Sequence, residues 1–330
     1  MQPLQAPIGS PFGAASTAAE VIAGIDLTGK TVIVTGGYAG LGLEAVRVLR
    51  DAGATVIVPA RNLAKARQNL SDVPGVIVEA MDLMDPASID AFAQWFLAGH
   101  GTLDILINNA GTMAAPLTRD ARGFESQFST NVLGHFQLTC RLWPALVAAG
   151  AAGGARVVAL SSANHRADVA DLLHDPNFER REYEPWKAYA QSKAGNVLFA
   201  VALDRLGQRH GVRAFSVHPG GIFATDLGRY MDPAIAKAAG MIDESGTPII
   251  DPENGWKTPE QGAATMVWAA TSALLEGKGG VYLANNDIGT QLTEDEGPLS
   301  QNGVAPSVSD PVNAGRLWQL CEQLTGARID

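Results

Sequence analysis

The chain has 330 residues, 46% of them apolar and 18% charged, with a formal net charge of −10. An acidic chain without a basic stripe argues against nucleic-acid binding, which needs cations to neutralise phosphate. No apolar run approaches the about 18 residues of a membrane span, and the N-terminus has Pro3 and Pro7 but no basic cluster, so no membrane segment or signal peptide is predicted and the expected location is cytoplasmic.

Residues 1–29 read as an N-terminal extension with a short helix over 17–25. Residues 31–35 (TVIVT) are a continuous β-branched run, the mark of a strand buried on both faces. A helix over 41–52 follows and stops at Gly53. The alternation repeats as strand 55–58, helix 63–70, strand 76–80, helix 86–98 opened by Pro86, and strand 103–107. A long helical stretch over 124–149 is expected to break near Pro144. Strand 156–160, helix 189–209, strand 212–217, helix 259–271 and a short strand 280–283 continue the series, and a last helix begins at Asp310-Pro311 and stops at Gly326. Strands alternating with long helices predict an α/β fold, a doubly wound, Rossmann-type parallel sheet. Residues 30–330 are read as one domain, with 222–257, punctuated by Gly and Pro, as a substrate-loop insertion within it.

The turn after the first strand reads Thr35-Gly36-Gly37-Tyr38-Ala39-Gly40-Leu41-Gly42. A glycine-rich turn between strand and helix brings backbone N–H groups to a pyrophosphate, with the helix N-terminus stabilising its charge. The spacing is Gly-x-x-x-Gly-x-Gly, and without its strand and helix such a cluster is only a turn. Gly36, Tyr38, Gly40, Leu41 and Gly42 are therefore candidate cofactor-binding positions. At the end of the second strand an acid would accept a ribose 2′-hydroxyl, whereas a 2′-phosphate needs a cation. Arg61 occupies that place, so NADP is expected rather than NAD; a surface Arg opening the next helix is the competing reading. Asp82-Leu83 after the third strand offers an acceptor for an adenine amino group. Asn108-Asn109-Ala110-Gly111 after the fourth lies at the carboxyl edge of the sheet, where such folds bind ligands, although the same residues suit a plain turn.

Two Tyr-x-x-x-Lys pairs occur, Tyr183/Lys187 and Tyr189/Lys193. Each would set a phenol and an ammonium one helical turn apart, and a cation near a phenol favours the phenolate. Pro185 interrupts the first pair and suits a helix start, with Glu184 as cap and Tyr183 outside. The second pair lies deeper in that helix and is the preferred one. Ser161-Ser162 closes the fifth strand, where a hydroxyl could bond a substrate carbonyl or merely cap a turn. His165 and His174 suit loop bracing better than proton shuttling. Cys140 and Cys321 are distant in sequence, and with no His/Cys or carboxylate cluster neither a disulfide nor a metal site is expected.

Together these motifs resemble the short-chain dehydrogenase/reductase family, in the family's order and across most of residues 30–220. The resemblance implies a catalytic set of Asn131, Ser162, Tyr189 and Lys193, with Asn131 holding a water in a proton relay and Ser162 preferred over Ser161. It implies that Tyr189 and Lys193 also bind cofactor, alongside Asn109, Ala110, Gly111, Pro219, Gly220 and Thr225. Arg61-Asn62, the run Ser161-Ser162-Ala163-Asn164-His165 and the run from Ala188 to Phe199 are most similar to the retinol dehydrogenase and WW-domain oxidoreductase branch. The implied activity is NADP-dependent hydride transfer between nicotinamide and a small, apolar carbonyl or alcohol, with Tyr189 as proton donor or acceptor. Pocket walls are expected from 164–187 and 222–257, including Leu172, Phe178, Tyr230, Ile249 and Ile250, though these suit loop packing equally well. The alternatives are an NADP(H)-binding redox-sensing regulator without turnover and a C=C reductase on the same scaffold. A homo-oligomer is left open.

Overall fold

A computed structural model describes residues 5–223, 225–293 and 302–329; residues 1–4 of the extension and Ala224 of the insertion lie outside them. In chain order the elements are α1 (Ala18–Ile22), β1 (Thr31–Val34), α2 (Gly40–Asp51), β2 (Thr55–Ala60), α3 (Leu63–Asn69), β3 (Ile77–Ala80), α4 (Pro86–Gly99) and β4 (Ile105–Asn108). There follow α5 (Ser126–Phe128), a π-helical turn over Ser129–Leu133, α6 (Gly134–Ala151), β5 (Ala155–Leu160), α7 (Val169–His174), α8 (Pro185–Gly207) and β6 (Val212–His218). The remainder is α9 (Pro233–Ala238), α10 (Pro259–Thr271), β7 (Val281–Ala284), β8 (Asp287–Ile288), β9 (Thr290–Gln291), β10 (Gly303–Val304), α11 (Pro306–Ser309) and α12 (Pro311–Thr325).

The main sheet runs β3-β2-β1-β4-β5-β6-β7-β8, and only β8 pairs antiparallel, against β7. This is the doubly wound arrangement the alternation predicts, with the order reversing beside β1. Alternate residues of a strand face opposite sides, so a sheet covered twice needs apolar residues at consecutive positions. Ile33, Leu106, Val157 and Ala214 enter one core with Phe92 and Phe96 of α4, Phe136 of α6, Leu198 of α8 and Leu317 of α12. Val32, Val34, Ile105, Ile107, Val158 and Phe215 enter the other, with Val46 and Leu49 of α2, Trp268 of α10 and Val21 of α1. Burial of a side chain such as Phe96, fully enclosed, is worth about 1.5–3 kcal/mol.

The helix carrying Pro144 is not broken there, contrary to the sequence expectation: α6 runs through it. Pro144 is exposed, while Leu142, Trp143, Ala145 and Leu146 are buried, so packing of the inner face holds the helix across the missing N–H. The irregularity falls instead at the π-helical turn, which contains Asn131. The helix expected over 189–209 starts at Pro185, with Glu184 as N-cap and Tyr183 outside it. The antiparallel β8 and the short helices α7, α9 and α11 carry too few residues to show a period, and sequence pattern missed them. Thr17 caps α1 through a reciprocal capping box with Glu20. Cys140 and Cys321 are buried free thiols. Among the described residues no helix is long and apolar enough to cross a membrane, and no group of His, Cys, Asp or Glu could hold a metal ion.

Candidate active site

The carboxyl ends of β1, β2, β3 and β4 open onto one groove of about 290 Å³. Gly36, Tyr38, Arg61, Asp82, Leu83, Ala110 and Gly111, all candidate cofactor-binding positions, line it, joined by Thr35 and Thr112. The backbone explains the glycines. Gly36 adopts φ +65°, which disfavours any side chain, and a Cβ on Gly42 would stand 2.5 Å from both Gly36 O and Asn109 Nδ2. Thr35 Oγ1 accepts from the N–H of Asn109 and of Ala110, each at 2.9 Å, and Asn109 Nδ2 donates to Thr35 O at 2.8 Å. Asn109 thus ties the two ligand-side turns together, and its side chain faces the protein. Leu41 packs towards α10 at Gly262. Asp82 accepts from Met84 N at 3.0 Å at the groove edge. Among the described residues Arg61 has no ion-pair partner, and its exposed guanidinium lies where an anion could reach both it and the glycine turn.

The segment after β6 closes over this groove. Thr225 Cγ2 lies 3.1 Å from where a Gly40 Cβ would be, and Asp226 pairs with Lys65 of α3 at 3.1 Å across an exposed gap. Pro219 and Gly220 lead into it, and Gly220, at φ +97°, rests on the aliphatic stem of Lys257. Arg229 and Tyr230 also line the groove, stacked on one another at 4.8 Å, and Arg229 Nη2 reaches Thr112 Oγ1 at 3.5 Å. Arg229 was not singled out from the sequence, because an irregular insertion has no period that tells which side chains turn inward. Leu172 and Phe178, expected as pocket walls, are instead buried in packing, while Ile249 and Ile250 are exposed. Trp186, also not foreseen, sets its ring edge-on to Tyr189 at 6.1 Å.

Asn131 and Lys193 are buried behind Gly111, which lines the groove, and Tyr189 is buried beside Lys193. A Cβ on Gly111 would stand 3.2 Å from Asn131 Oδ1 and 3.7 Å from Lys193 Nζ, so the two side chains converge on that glycine. Lys193 Nζ lies 5.6 Å from the Tyr189 ring centroid and donates to Leu160 O at 2.9 Å. The Ser162 side chain stands beside the Tyr189 phenol and favours its ionised form. Ser161 Oγ donates instead to Lys193 O at 2.8 Å, which separates the two serines: one faces the phenol, the other holds α8. Asn131 Nδ2 donates to Thr112 O at 3.0 Å and Ser192 Oγ at 2.8 Å, and Oδ1 accepts from Thr112 N at 2.9 Å. Both of its N–H bonds are therefore spent on protein, bracing the turn after β4 against α8. Behind it, His135 Nδ1 lies 3.1 Å from Asn131 O and Nε2 lies 2.9 Å from Thr35 Oγ1.

The competing Tyr183/Lys187 pair does not meet. Tyr183 donates to Ala115 O at 2.8 Å beside the buried Glu125, whereas Lys187 is exposed and paired with Glu184 at 3.7 Å. His165 braces a loop, as expected. Burial pushes the Tyr189 phenol up to about 12, opposed by the neighbouring Ser162 side chain, and pushes Lys193 down to about 8. Desolvation favours the neutral form of both groups.

The chain matches the family model described as short chain dehydrogenase over residues 30–174. It is 42% identical over 301 residues to a Streptomyces lividans protein named "Probable oxidoreductase", covering 89% of this chain and 97% of that protein. It is 35% identical over 300 residues to the short-chain dehydrogenase/reductase prx1 of Penicillium roqueforti, covering 88% of this chain and 83% of that one. The chain belongs to the short-chain dehydrogenase/reductase family. The structure of the Pseudomonas aeruginosa RhlG/NADP active-site complex matches with a TM-score of 0.61 and 25% identity, covering 78% of this chain and 95% of that chain. As a short-chain dehydrogenase/reductase the protein is an oxidoreductase that binds a nicotinamide cofactor and acts on a small molecule.

Proposed function

We propose that this short-chain dehydrogenase/reductase moves a hydride between NADP(H) and a carbonyl or alcohol group, with Tyr189 as the proton donor or acceptor. The observation that carries the reading is the placing of Ser162 beside the buried Tyr189, with Lys193 one turn on: a substrate oxygen entering there would take hydrogen bonds from both hydroxyls. When bound, the nicotinamide supplies or accepts the hydride at the substrate carbon. In reduction, the Tyr189 O–H bond breaks as its proton passes to the substrate oxygen, and an alcohol forms. The Lys193 ammonium then faces the new phenolate at short range and opposes its charge. In oxidation the same atoms work in reverse. A phenol pushed up to about 12 is in its donor form at neutral pH, which favours the reductive direction there.

Arg61 supports NADP over NAD, since a guanidinium at the end of β2 with no ion-pair partner among the described residues suits a 2′-phosphate, and no acid follows β2 there to receive a 2′-hydroxyl. The RhlG relative is itself an NADP complex. The glycine turn carries the pyrophosphate in this reading, with Thr225 over it and Asp82 towards the adenine. Tyr230 on the groove wall supports an apolar substrate. The test is a panel of ketones and aldehydes, including 4-nitrobenzaldehyde, assayed for absorbance loss at the reduced-nicotinamide band with NADPH and with NADH. NADPH-preferring reduction is expected. Binding of NADPH with no turnover across the panel and its alcohols would leave the regulator reading instead.

A further inference from the structure

Ser162 stands just beyond β5, so its hydroxyl is only as well aimed as the turn that carries it. One side chain holds that turn from beneath. His165 is fully buried and its two ring nitrogens have different partners: Nδ1 lies 2.6 Å from Ser162 O, and Nε2 accepts the Ala305 N–H at 3.1 Å. A nitrogen that accepts an N–H carries no proton, so Nδ1 bears the hydrogen and donates it to Ser162 O. The ring is neutral and fixed in one tautomer. It is also fixed in position, because the Tyr282 ring packs on it with centroids 5.0 Å apart. The His165 N–H donates to the same Ser162 O at 3.2 Å, Asn164 N donates to Ser162 Oγ at 3.2 Å, and Ala163 N donates to His218 Nδ1 at 3.2 Å. The turn is thus clamped between the end of β6 and the segment joining β10 to α11.

We infer that His165 is a positioning residue for Ser162: its imidazole, anchored by Ala305 and Tyr282, fixes the backbone from which the Ser162 hydroxyl reaches Tyr189. The inference rests on the role proposed above for Ser162. It predicts that the two nitrogens matter unequally. His165→Asn places an amide N–H near the Nδ1 position, and His165→Gln places a carbonyl oxygen near the Nε2 position.

The experiment is a double-mutant cycle on full-length protein, with NADPH and 4-nitrobenzaldehyde, reading kcat and both KM values. Ser162→Ala is expected to lower kcat about a hundredfold. His165→Gln is expected to lower kcat about tenfold with the KM for NADPH unchanged, His165→Asn to recover most of that loss, and His165→Gln to cost nothing further in the Ser162→Ala background. Multiplicative losses in the double variant, or equal losses in the Asn and Gln variants, would overturn the inference while leaving Ser162 in its role. A fully active Ser162→Ala protein would remove that role itself. If the Gln variant does not fold, the cycle is run with Asn. Independently of activity, nitrogen-15 shifts of the histidine rings should give His165 as the Nδ1–H tautomer; the opposite tautomer would overturn the inference.

Discussion

Lys193 and Tyr189 lie one turn apart on α8, with the ammonium nitrogen 5.6 Å from the centre of the phenol ring. Both are buried, and desolvation drives their proton affinities apart, Lys193 down to about 8 and Tyr189 up to about 12. Reduction needs the phenol protonated and Lys193 charged as the phenolate forms. The reductive kcat should therefore be flat through neutral pH and fall as pH rises past about 8, where Lys193 loses its proton. The oxidative kcat should rise with pH, since it needs the phenolate. Rate profiles in both directions check this, and a reductive kcat that climbs with alkalinity would contradict it.

Arg61 predicts cofactor preference. Arg61→Asp puts an acid where a 2′-phosphate would sit, so the NADPH-to-NADH ratio of kcat/KM should fall at least about tenfold, equivalent to ~1.4 kcal/mol. Steady-state kinetics with each cofactor measure it. An unchanged ratio would remove Arg61 from the phosphate site.

Two buried histidines predict acid lability. Burial pushes His135 and His165 down to about 4, from an ordinary value of 6.5. Between those values the unfolded chain binds more protons than the folded one, so stability present above pH 6.5 is lost as pH falls towards 4. Each histidine contributes a slope of up to about 1.4 kcal/mol per pH unit. Urea unfolding across that window should show the loss, and His165→Asn should flatten it.

Tyr183 predicts a structural effect without a chemical one. Its hydroxyl bonds Ala115 O and the buried Glu125, away from Ser162. Tyr183→Phe should cost about 1–3 kcal/mol of stability and leave kcat within a few-fold. A loss of kcat comparable to that of a Tyr189 variant would reinstate the first Tyr/Lys pair.

The alternating strands were legible because a sheet buried on both faces demands unbroken apolar runs, and Thr31–Val34 and Ile105–Asn108 supply them. The glycine turn and the choice of Tyr189 over Tyr183 were legible because Gly36 and Pro185 each constrain the backbone itself. Pro144 misled because propensity speaks for an isolated helix, and here the buried face of α6 overrides it. Arg229 could not be read, since a loop residue's direction depends on distant contacts such as Lys65 with Asp226. Nor could the shift of Tyr189, because desolvation depends on everything packed around the ring. His135 carried a signal that went unused: it stands four residues after Asn131, on the same helix face.

The most direct test is Tyr189→Phe, which removes one oxygen and its proton from the buried site. Single-turnover hydride transfer from NADPH to the best carbonyl of the panel should slow at least about a hundredfold, while NADPH binds within about threefold of its original affinity. A Phe variant that binds NADPH and transfers hydride at the original rate would contradict Tyr189 as the proton donor.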